Sequence, residues 1–203
     1  MKILLTVKDR ILIEFQHTKE GIMLPKTDQD REKAEEPLRG FVHGPRGTGK
    51  SRVILWIRRL FTEALQWEHG LEFIFVAFQN RVAHAMGGTT LHTGGDITVG
   101  GQRSTSLAHT DIDNLFTRNQ HVRWLLIDEI GMIPDELLGA FEAHFTEAAV
   151  SSRYQERAHK SKRPFGGYNM LAFGDLFQIP PIPSSASICI PIREKSQSTR
   201  AEH

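Results

Sequence analysis

The fold is decided by the stretch Gly44-Pro45-Arg46-Gly47-Thr48-Gly49-Lys50-Ser51, which matches the pattern G-x-x-x-x-G-K-[ST] without a gap. Glycines in this pattern let successive backbone N–H groups turn inward around phosphate groups, where a side chain would clash. A helix that begins near Lys50 adds the positive end of its dipole. The Lys50 ammonium can reach the β- and γ-phosphates, and the Ser51 hydroxyl can bind Mg²⁺. The whole octet is therefore predicted to bind a nucleoside triphosphate.

Strand and helix patterns alternate on both sides of this octet. Apolar runs predict strands at residues 38–43, 71–77, 122–128 and 168–175. Apolar residues at helical spacing predict one helix after Ser51, with Gly70 as its stop, and another that opens at Pro134-Asp135-Glu136. This alternation predicts an α/β fold, with a mostly parallel sheet covered by helices on both faces.

The pattern of apolar residues also sets the bounds of the predicted domain and of the segments outside its core. Residues 1–37 lack a clear core pattern and read as an N-terminal extension that ends in a charge run. Residues 94–114 are polar and glycine-rich, which indicates a long functional loop. Residues 38–183 form the predicted domain, and residues 184–203 read as an untethered tail.

Composition narrows the class of protein. The 203 residues are 39% hydrophobic and 24% charged, which fits one soluble domain. A net charge of +1 confines any nucleic-acid site to a local patch. The single cysteine, Cys189, excludes an internal disulfide and fits an intracellular compartment, and the ten histidines show no metal-ligand spacing. No apolar run approaches the roughly 18 residues of a membrane span, and no targeting signal is recognised.

A second acidic site follows the strand at residues 122–128. Asp128 ends this strand, where ligands bind in parallel sheets, and is placed to hold Mg²⁺ through water. Glu129 can orient and deprotonate an attacking water. Alone, an Asp-Glu pair could equally cap a helix, but about 80 residues after a P-loop it completes an NTPase site. The same residues also fit the D-x-x-G pattern of GTPases, but no guanine-reading N-K-x-D follows.

A third motif reads Gly174-Asp175-Leu176-Phe177-Gln178-Ile179-Pro180-Pro181. The strand at residues 168–175 delivers the Gly-Asp turn to the crevice. The neutral amide of Gln178 can then donate and accept hydrogen bonds near the γ-phosphate, and the two prolines stiffen the chain behind it. Gln178 is predicted to sense whether the γ-phosphate is present.

With these motifs in order, the sequence resembles the PIF-type DNA helicases of superfamily 1, including the helicase domains of Helitron-like transposons. Those proteins carry G-D-x-x-Q-L-P-P, a D-E-[IS]-[SG]-M segment like residues 128–132, and a P-F-G-G like residues 164–167. The resemblance implies a RecA-like fold, ATP and Mg²⁺ as cofactors and DNA unwinding in repair, recombination or telomere maintenance. It also implies a nuclear or mitochondrial location.

The family's DNA-facing segment departs from its pattern here. Residues 77–83 replace A-P-T-G-x-A-A, whereas residues 88–93 keep G-x-T-[IL]-H. By resemblance, this segment contacts single-stranded or forked DNA through Asn80, Arg81, Thr90 and His92. A purely structural loop is the alternative.

The resemblance also implies a second domain that completes the ATP site. Such helicases close the site with arginines from a second RecA-like domain, and about 20 residues after Pro181 leave no room for one. The expectation is therefore a motor half that binds ATP and Mg²⁺ but does not unwind DNA alone, unless a second domain or subunit acts in trans. The alternative is a non-enzymatic ATP-binding remnant or subunit module.

Overall fold

The computed structural model describes residues 2–19, 36–97, 109–119, 121–148 and 163–177. Within these residues the strands are β1 (Arg39–His43), β2 (Phe73–Ala77), β3 (Thr89–Thr90), β4 (Trp124–Asp128) and β5 (Asn169–Gly174). The α-helices are α1 (Lys2–Lys19), α2 (Lys50–Arg59), α3 (Asn80–Ala85), α4 (Leu91–Gly94), α5 (His109–Asn119) and α6 (Asp135–Ala148). A π-helical turn at Leu60–Ala64 extends α2, and 3₁₀ turns occur at Ile130–Met132 and Pro164–Gly167.

The five strands form one parallel sheet in the order β1-β5-β4-β2-β3. The four strands expected from apolar runs are all present, so these predictions are confirmed. The fifth strand, β3, is only two residues long, which is too short for a sequence pattern to reveal. Because all pairings are parallel, the carboxyl ends of the strands meet at one edge of the sheet.

Both faces of the sheet are buried under helices. Alternate residues of β2 point to opposite sides, with Phe73 and Phe75 in one apolar cluster and Val76 in the other. The first cluster includes Ile57 from α2, and the second includes Phe141 from α6. Burial on both faces explains why these strands read as continuous apolar runs. The predicted α/β fold, with helices on both faces, is confirmed.

The N-terminal residues contribute to this core, which corrects one expectation. Val7 and Ile11 of α1 are buried in the same cluster as Phe73 and Ile57, and Ile3 and Leu4 pack against it. Residues 1–37 were expected to lack a core pattern, but a single helical stripe suffices to dock α1. The signal was obscured because charged residues at positions 8–10 interrupt the apolar run.

The end of α2 also differs from the expectation. The helical segment finishes at Ala64, six residues before Gly70, because the chain turns to place Trp67 against Phe61 with ring centroids 5.1 Å apart. The Trp67 N–H donates to the Phe61 carbonyl at 2.9 Å, and Gln66 adopts φ 57° in this turn.

The segment expected to be a long loop, residues 94–114, is partly helical. Its last six residues begin α5, whose Leu115 is fully buried and packs the helix towards α6. A mostly exposed helix needs few apolar residues, so the polar composition of this segment did not indicate α5. In the part of the chain that the structure describes, no helix is long and apolar enough to cross a membrane.

Candidate nucleotide-binding cleft

The carboxyl edge of the sheet opens into a cleft of about 740 Å³. The turns that follow β1, β2, β4 and β5 all contribute to its walls. Twelve of the residues that the structure describes line it: Arg46, Gly47, Gly49, Lys50, Ser51, Gln79, Val82, Asp128, Glu129, Met132, Gly174 and Asp175. The structure therefore brings most of the predicted octet and both predicted acids to one place.

The octet forms a glycine-dependent turn between β1 and α2. Gly47 and Gly49 adopt φ of 84° and 89°, which other residues rarely reach. The Thr48 hydroxyl donates to the Pro45 carbonyl at 2.8 Å and closes the turn from inside. Gly44 is buried below it, and its N–H donates to the Gly174 carbonyl at 3.2 Å, which ties the turn to the end of β5. Gly44, Pro45 and Thr48 shape this turn without lining the cleft.

Lys50 lies at the first residue of α2, with its ammonium folded under the turn. Its Nζ donates to the Gly44 carbonyl and, at 3.0 Å, to the Pro45 carbonyl. These bonds hold a positive charge at the base of the cradle. Ser51, the next residue of the helix, is exposed to the cleft.

The two acids stand at the end of β4 and line the same cleft. Asp128 is buried, and its Oδ1 accepts the Glu129 N–H at 2.8 Å. Burial raises the pKa of Asp128, an effect that this N–H and the charge of Lys50 partly offset. Burial also raises the pKa of Glu129, and the neighbouring Asp128 charge raises it further. Both acids therefore favour a cation or proton donor in the cleft.

Glu129 occupies a strained backbone conformation. Its φ of 55° and ψ of 37° lie in the left-handed region, which costs a residue with a side chain about 1–3 kcal/mol. The Met132 N–H donates to its carbonyl at 2.8 Å and closes the 3₁₀ turn that fixes this geometry. This turn holds Glu129 in the cleft directly after Asp128.

This cleft fits a magnesium-bound nucleoside triphosphate. Two positive-φ glycines leave the cradle open, since a Cβ built at Gly47 or Gly49 meets nothing within 4 Å. Glu129 Oε2 is buried without a protein hydrogen-bond partner among the described residues, as expected of a group that awaits a ligand or water. Among those residues no cluster of three metal-ligating side chains exists. A metal here would rely on Ser51, Asp128, phosphate oxygens and water, which suits Mg²⁺.

The third predicted motif reaches the cleft through its first two residues. Gly174 and Asp175 line it, and Asp175 is buried and accepts the Phe177 N–H at 3.0 Å. Gln178 lies outside the described residues, so its γ-phosphate contact stays a prediction. Asp175 was not among the predicted site residues, although it belongs to the predicted motif. Its position directly after a buried strand was the sequence signal that could have identified it.

Three other lining residues were not predicted as site residues. Gln79 and Val82 come from the start of α3, and Met132 comes from the turn behind Glu129. They belong to walls that form only when β2 and β4 pair, so the linear sequence gives little sign of them.

The predicted DNA-contacting residues lie beside the cleft, at the same edge of the sheet. Asn80 and Arg81 are exposed in the first turn of α3, which packs on β3. The pairing of Ala77 with Thr90 brings Thr90 and His92 to the same edge. Thr90 also has a local role, since its Oγ1 accepts the Thr93 N–H at 3.2 Å and caps α4. Contact with DNA by any of these residues stays a prediction.

Comparison with known proteins decides the family. The model of the PIF1-like helicases matches residues 28–197, which is most of the chain. This protein belongs to the PIF1-like helicase family. It is 33% identical over 144 residues to the ATP-dependent DNA helicase Pif1 of Bdellovibrio bacteriovorus and 30% identical over 145 residues to the ATP-dependent DNA helicase RRM3 of Saccharomyces cerevisiae. The matched part is 70% of this chain in both cases.

The chain spans only part of these relatives. It covers 29% of the Bdellovibrio protein and 18% of RRM3. Among solved structures, it is similar to Pif1 helicase from Candida albicans, with a TM-score of 0.52 and 26% identity over 79% of this chain and 34% of the other. Unliganded Pif1 from a Bacteroides species gives a TM-score of 0.52 at 23% identity, over 87% of this chain and 36% of that one. These structures support the RecA-like P-loop fold.

Proposed function

We propose that this chain is the nucleotide-binding motor domain of an ATP-dependent DNA helicase. The observation that carries the proposal is the convergence of the glycine-rich turn, Asp128 and Glu129 on one cleft at the carboxyl edge of a parallel sheet. Membership of the PIF1-like helicase family supports ATP as the nucleotide and DNA as the partner.

Binding is assigned to the turn and the metal ligands. Backbone N–H groups of residues 46–51 surround the phosphates, and Lys50 exchanges its carbonyl partners for β- and γ-phosphate oxygens. Ser51 and Asp128 hold Mg²⁺, Asp128 through water. Lys50 loses two hydrogen bonds to backbone carbonyls, and stronger, charge-assisted hydrogen bonds to phosphate offset that loss.

Hydrolysis is assigned to Glu129. Its carboxylate takes a proton from water, whose oxygen attacks the γ-phosphorus while the bond to the β-bridging oxygen breaks, which releases ADP and phosphate. Glu129 lines the cleft, so its carboxylate is the acceptor for a water bound there. Gln178 is proposed to contact the γ-phosphate from the segment after β5.

Single-stranded or forked DNA is the proposed partner. Asn80 and Arg81 supply exposed polar and cationic groups for the DNA backbone and bases. Thr90 and His92 extend this surface along the sheet edge. Because the net charge is only +1, affinity for DNA should come from this local patch and should fall steeply with salt.

Full unwinding is proposed for the assembled helicase, in which a second RecA-like domain or subunit supplies arginines across the cleft. An arginine provided in this way accelerates related phosphoryl transfers by about 10³–10⁵. Roles in repair, recombination or telomere maintenance stay predictions from the family resemblance.

The test is ATP hydrolysis by the purified 203-residue chain, with and without single-stranded DNA. We expect slow hydrolysis that DNA stimulates, its loss in Glu129→Gln, and loss of stimulation alone in Arg81→Ala. Arg59→Ala is the matched control, since Arg59 is an exposed arginine of α2 away from the cleft lining. Nucleotide binding without hydrolysis under any condition would instead support the non-enzymatic module.

A strand-displacement assay on a forked duplex separates hydrolysis from unwinding. We expect no displacement by the 203-residue chain alone, because separation of each base pair opposes about 1.4 kcal/mol of stacking and needs two moving domains. ATP-dependent displacement that Lys50→Ala abolishes would contradict this division.

A further inference from the structure

Gln79 lines the nucleotide-binding cleft beside the two acids. It follows the end of β2 by two residues, and the register pairs Ala77 of β2 with Asp128 of β4. Because parallel neighbours leave the sheet side by side, the chain at Gln79 runs next to Glu129. Gln79 therefore lines the same cleft as Glu129 and Lys50.

Among the described residues, the Gln79 amide makes only a weak hydrogen bond. Gln79 is the N-cap residue of α3, but its side chain makes no capping hydrogen bond. Its Nε2 approaches the Met132 sulfur at 3.8 Å, and a thioether is a weak acceptor. The side chain is exposed to the cleft, so its donor and acceptor remain available to a ligand.

The charge around Gln79 determines what it can bind. Asp128 and Glu129 place two carboxylates in the cleft, and Lys50 supplies a cation. A neutral amide adds N–H donors for phosphoryl oxygens without neutralising the acids that the metal and water require. The family pattern A-P-T-G-x-A-A has threonine at this position, and glutamine extends two bonds further into the cleft.

We propose that Gln79 Nε2 donates a hydrogen bond to an oxygen of the terminal phosphate and so distinguishes nucleoside triphosphate from diphosphate. The inference rests on the proposed nucleotide site and adds a residue to it. Gln79 directly precedes Asn80 and Arg81, so the proposed phosphate contact and the proposed DNA contacts are neighbours in the sequence.

The test compares Gln79→Leu with Gln66→Leu. Gln66 is an exposed glutamine outside the cleft lining, so the same chemical change is made away from the ligand. Calorimetry gives the Kd of each variant for the magnesium complexes of ADP and of a non-hydrolysable ATP analogue. We expect Gln79→Leu to weaken analogue binding about tenfold, the effect of one hydrogen bond to a charged group, and to leave ADP binding almost unchanged. Gln66→Leu should alter neither affinity.

A second variant, Gln79→Glu, keeps the shape and adds a negative charge. It should weaken analogue binding more than Gln79→Leu does, since its carboxylate repels the terminal phosphate. Equal losses for ADP and the analogue would assign Gln79 to the cleft wall and overturn the proposal, as would unchanged binding of both. If the wild-type chain binds neither nucleotide, the proposed function fails. If Lys50→Ala abolishes binding while Gln79→Leu keeps the full preference for triphosphate, only the role of Gln79 fails.

Discussion

Substitution of two glycines with similar φ angles distinguishes an effect on nucleotide binding from an effect on folding. Gly49 has φ 89° and Gly70 has φ 88°, and a Cβ built at either position meets nothing within 4 Å. They differ in location, because Gly49 lines the cleft and Gly70 lies in the turn before β2. Replacement of either glycine by alanine should therefore lower the free energy of unfolding by a similar amount. Only the replacement of Gly49 should also weaken nucleotide binding.

The cost of folding follows from the dihedral angles. A left-handed conformation costs an alanine about 1–2 kcal/mol, and the lower entropy of the unfolded alanine chain returns about 0.4–1 kcal/mol. Gly49→Ala and Gly70→Ala should each lose about 1 kcal/mol of stability, because neither methyl group clashes. For a chain of this size, that loss corresponds to a decrease of about 2–4 °C in Tm.

The cost of binding should appear at Gly49 alone. Because Gly49 lines the cleft, we expect its new methyl group to occupy the cradle and to displace phosphate oxygens from the backbone N–H groups. Loss of one such charged hydrogen bond weakens affinity about tenfold or more. Calorimetric titration with magnesium and ATP, alongside thermal melts, measures both effects. Equal affinities for the two variants would refute the placement of phosphate at this turn.

Three further predictions concern stability. Ile11→Ala should lower the free energy of unfolding by about 2 kcal/mol in urea titrations, since Ile11 is 4% exposed, whereas Leu12→Ala at 48% exposed should cost far less; equal costs would remove α1 from the core. Burial lowers the pKa of His69, so stability should fall as pH drops below about 6.5; His69→Gln should flatten that dependence in melts at several pH values, and an unchanged slope would contradict it. Burial raises the pKa of Glu129 above the ordinary carboxyl value of 4.5. Stability should therefore fall as the pH rises above that value, because the buried carboxyl must then ionise. Nucleotide-free Glu129→Gln should therefore melt higher than wild type at pH 7 and lose that advantage in acid, and a lower melting temperature at pH 7 would show that the carboxylate stabilises the fold.

The sequence predicted the parallel sheet and its phosphate turn because their signals are local. Glycines at positions 47 and 49 are required by the backbone of one turn. Strand β4 is buried on both faces, so all its residues before Asp128 are apolar. Asp128 and Glu129 could be placed because strand ends in a parallel sheet share an edge.

The rest depended on pairing between distant segments. Gln79 and Met132 join the cleft only through the register of β2 with β4, which no local pattern encodes. The short strand β3 exists because Thr89 and Thr90 pair with Val76 and Ala77. Docking of α1 depends on a narrow apolar stripe that adjacent charges conceal.

The nucleotide-binding role of the cleft is tested most directly by calorimetric titration of ATP with Mg²⁺ into the wild-type chain, Lys50→Ala and Glu129→Gln. Lysine supplies charge to the phosphates in the bound state, whereas glutamate acts on the water. We expect binding by the wild type, no detectable binding by Lys50→Ala, and wild-type affinity without hydrolysis for Glu129→Gln. Wild-type affinity in Lys50→Ala would contradict the site, and an equally severe loss in Glu129→Gln would contradict the separate roles assigned to Lys50 and Glu129.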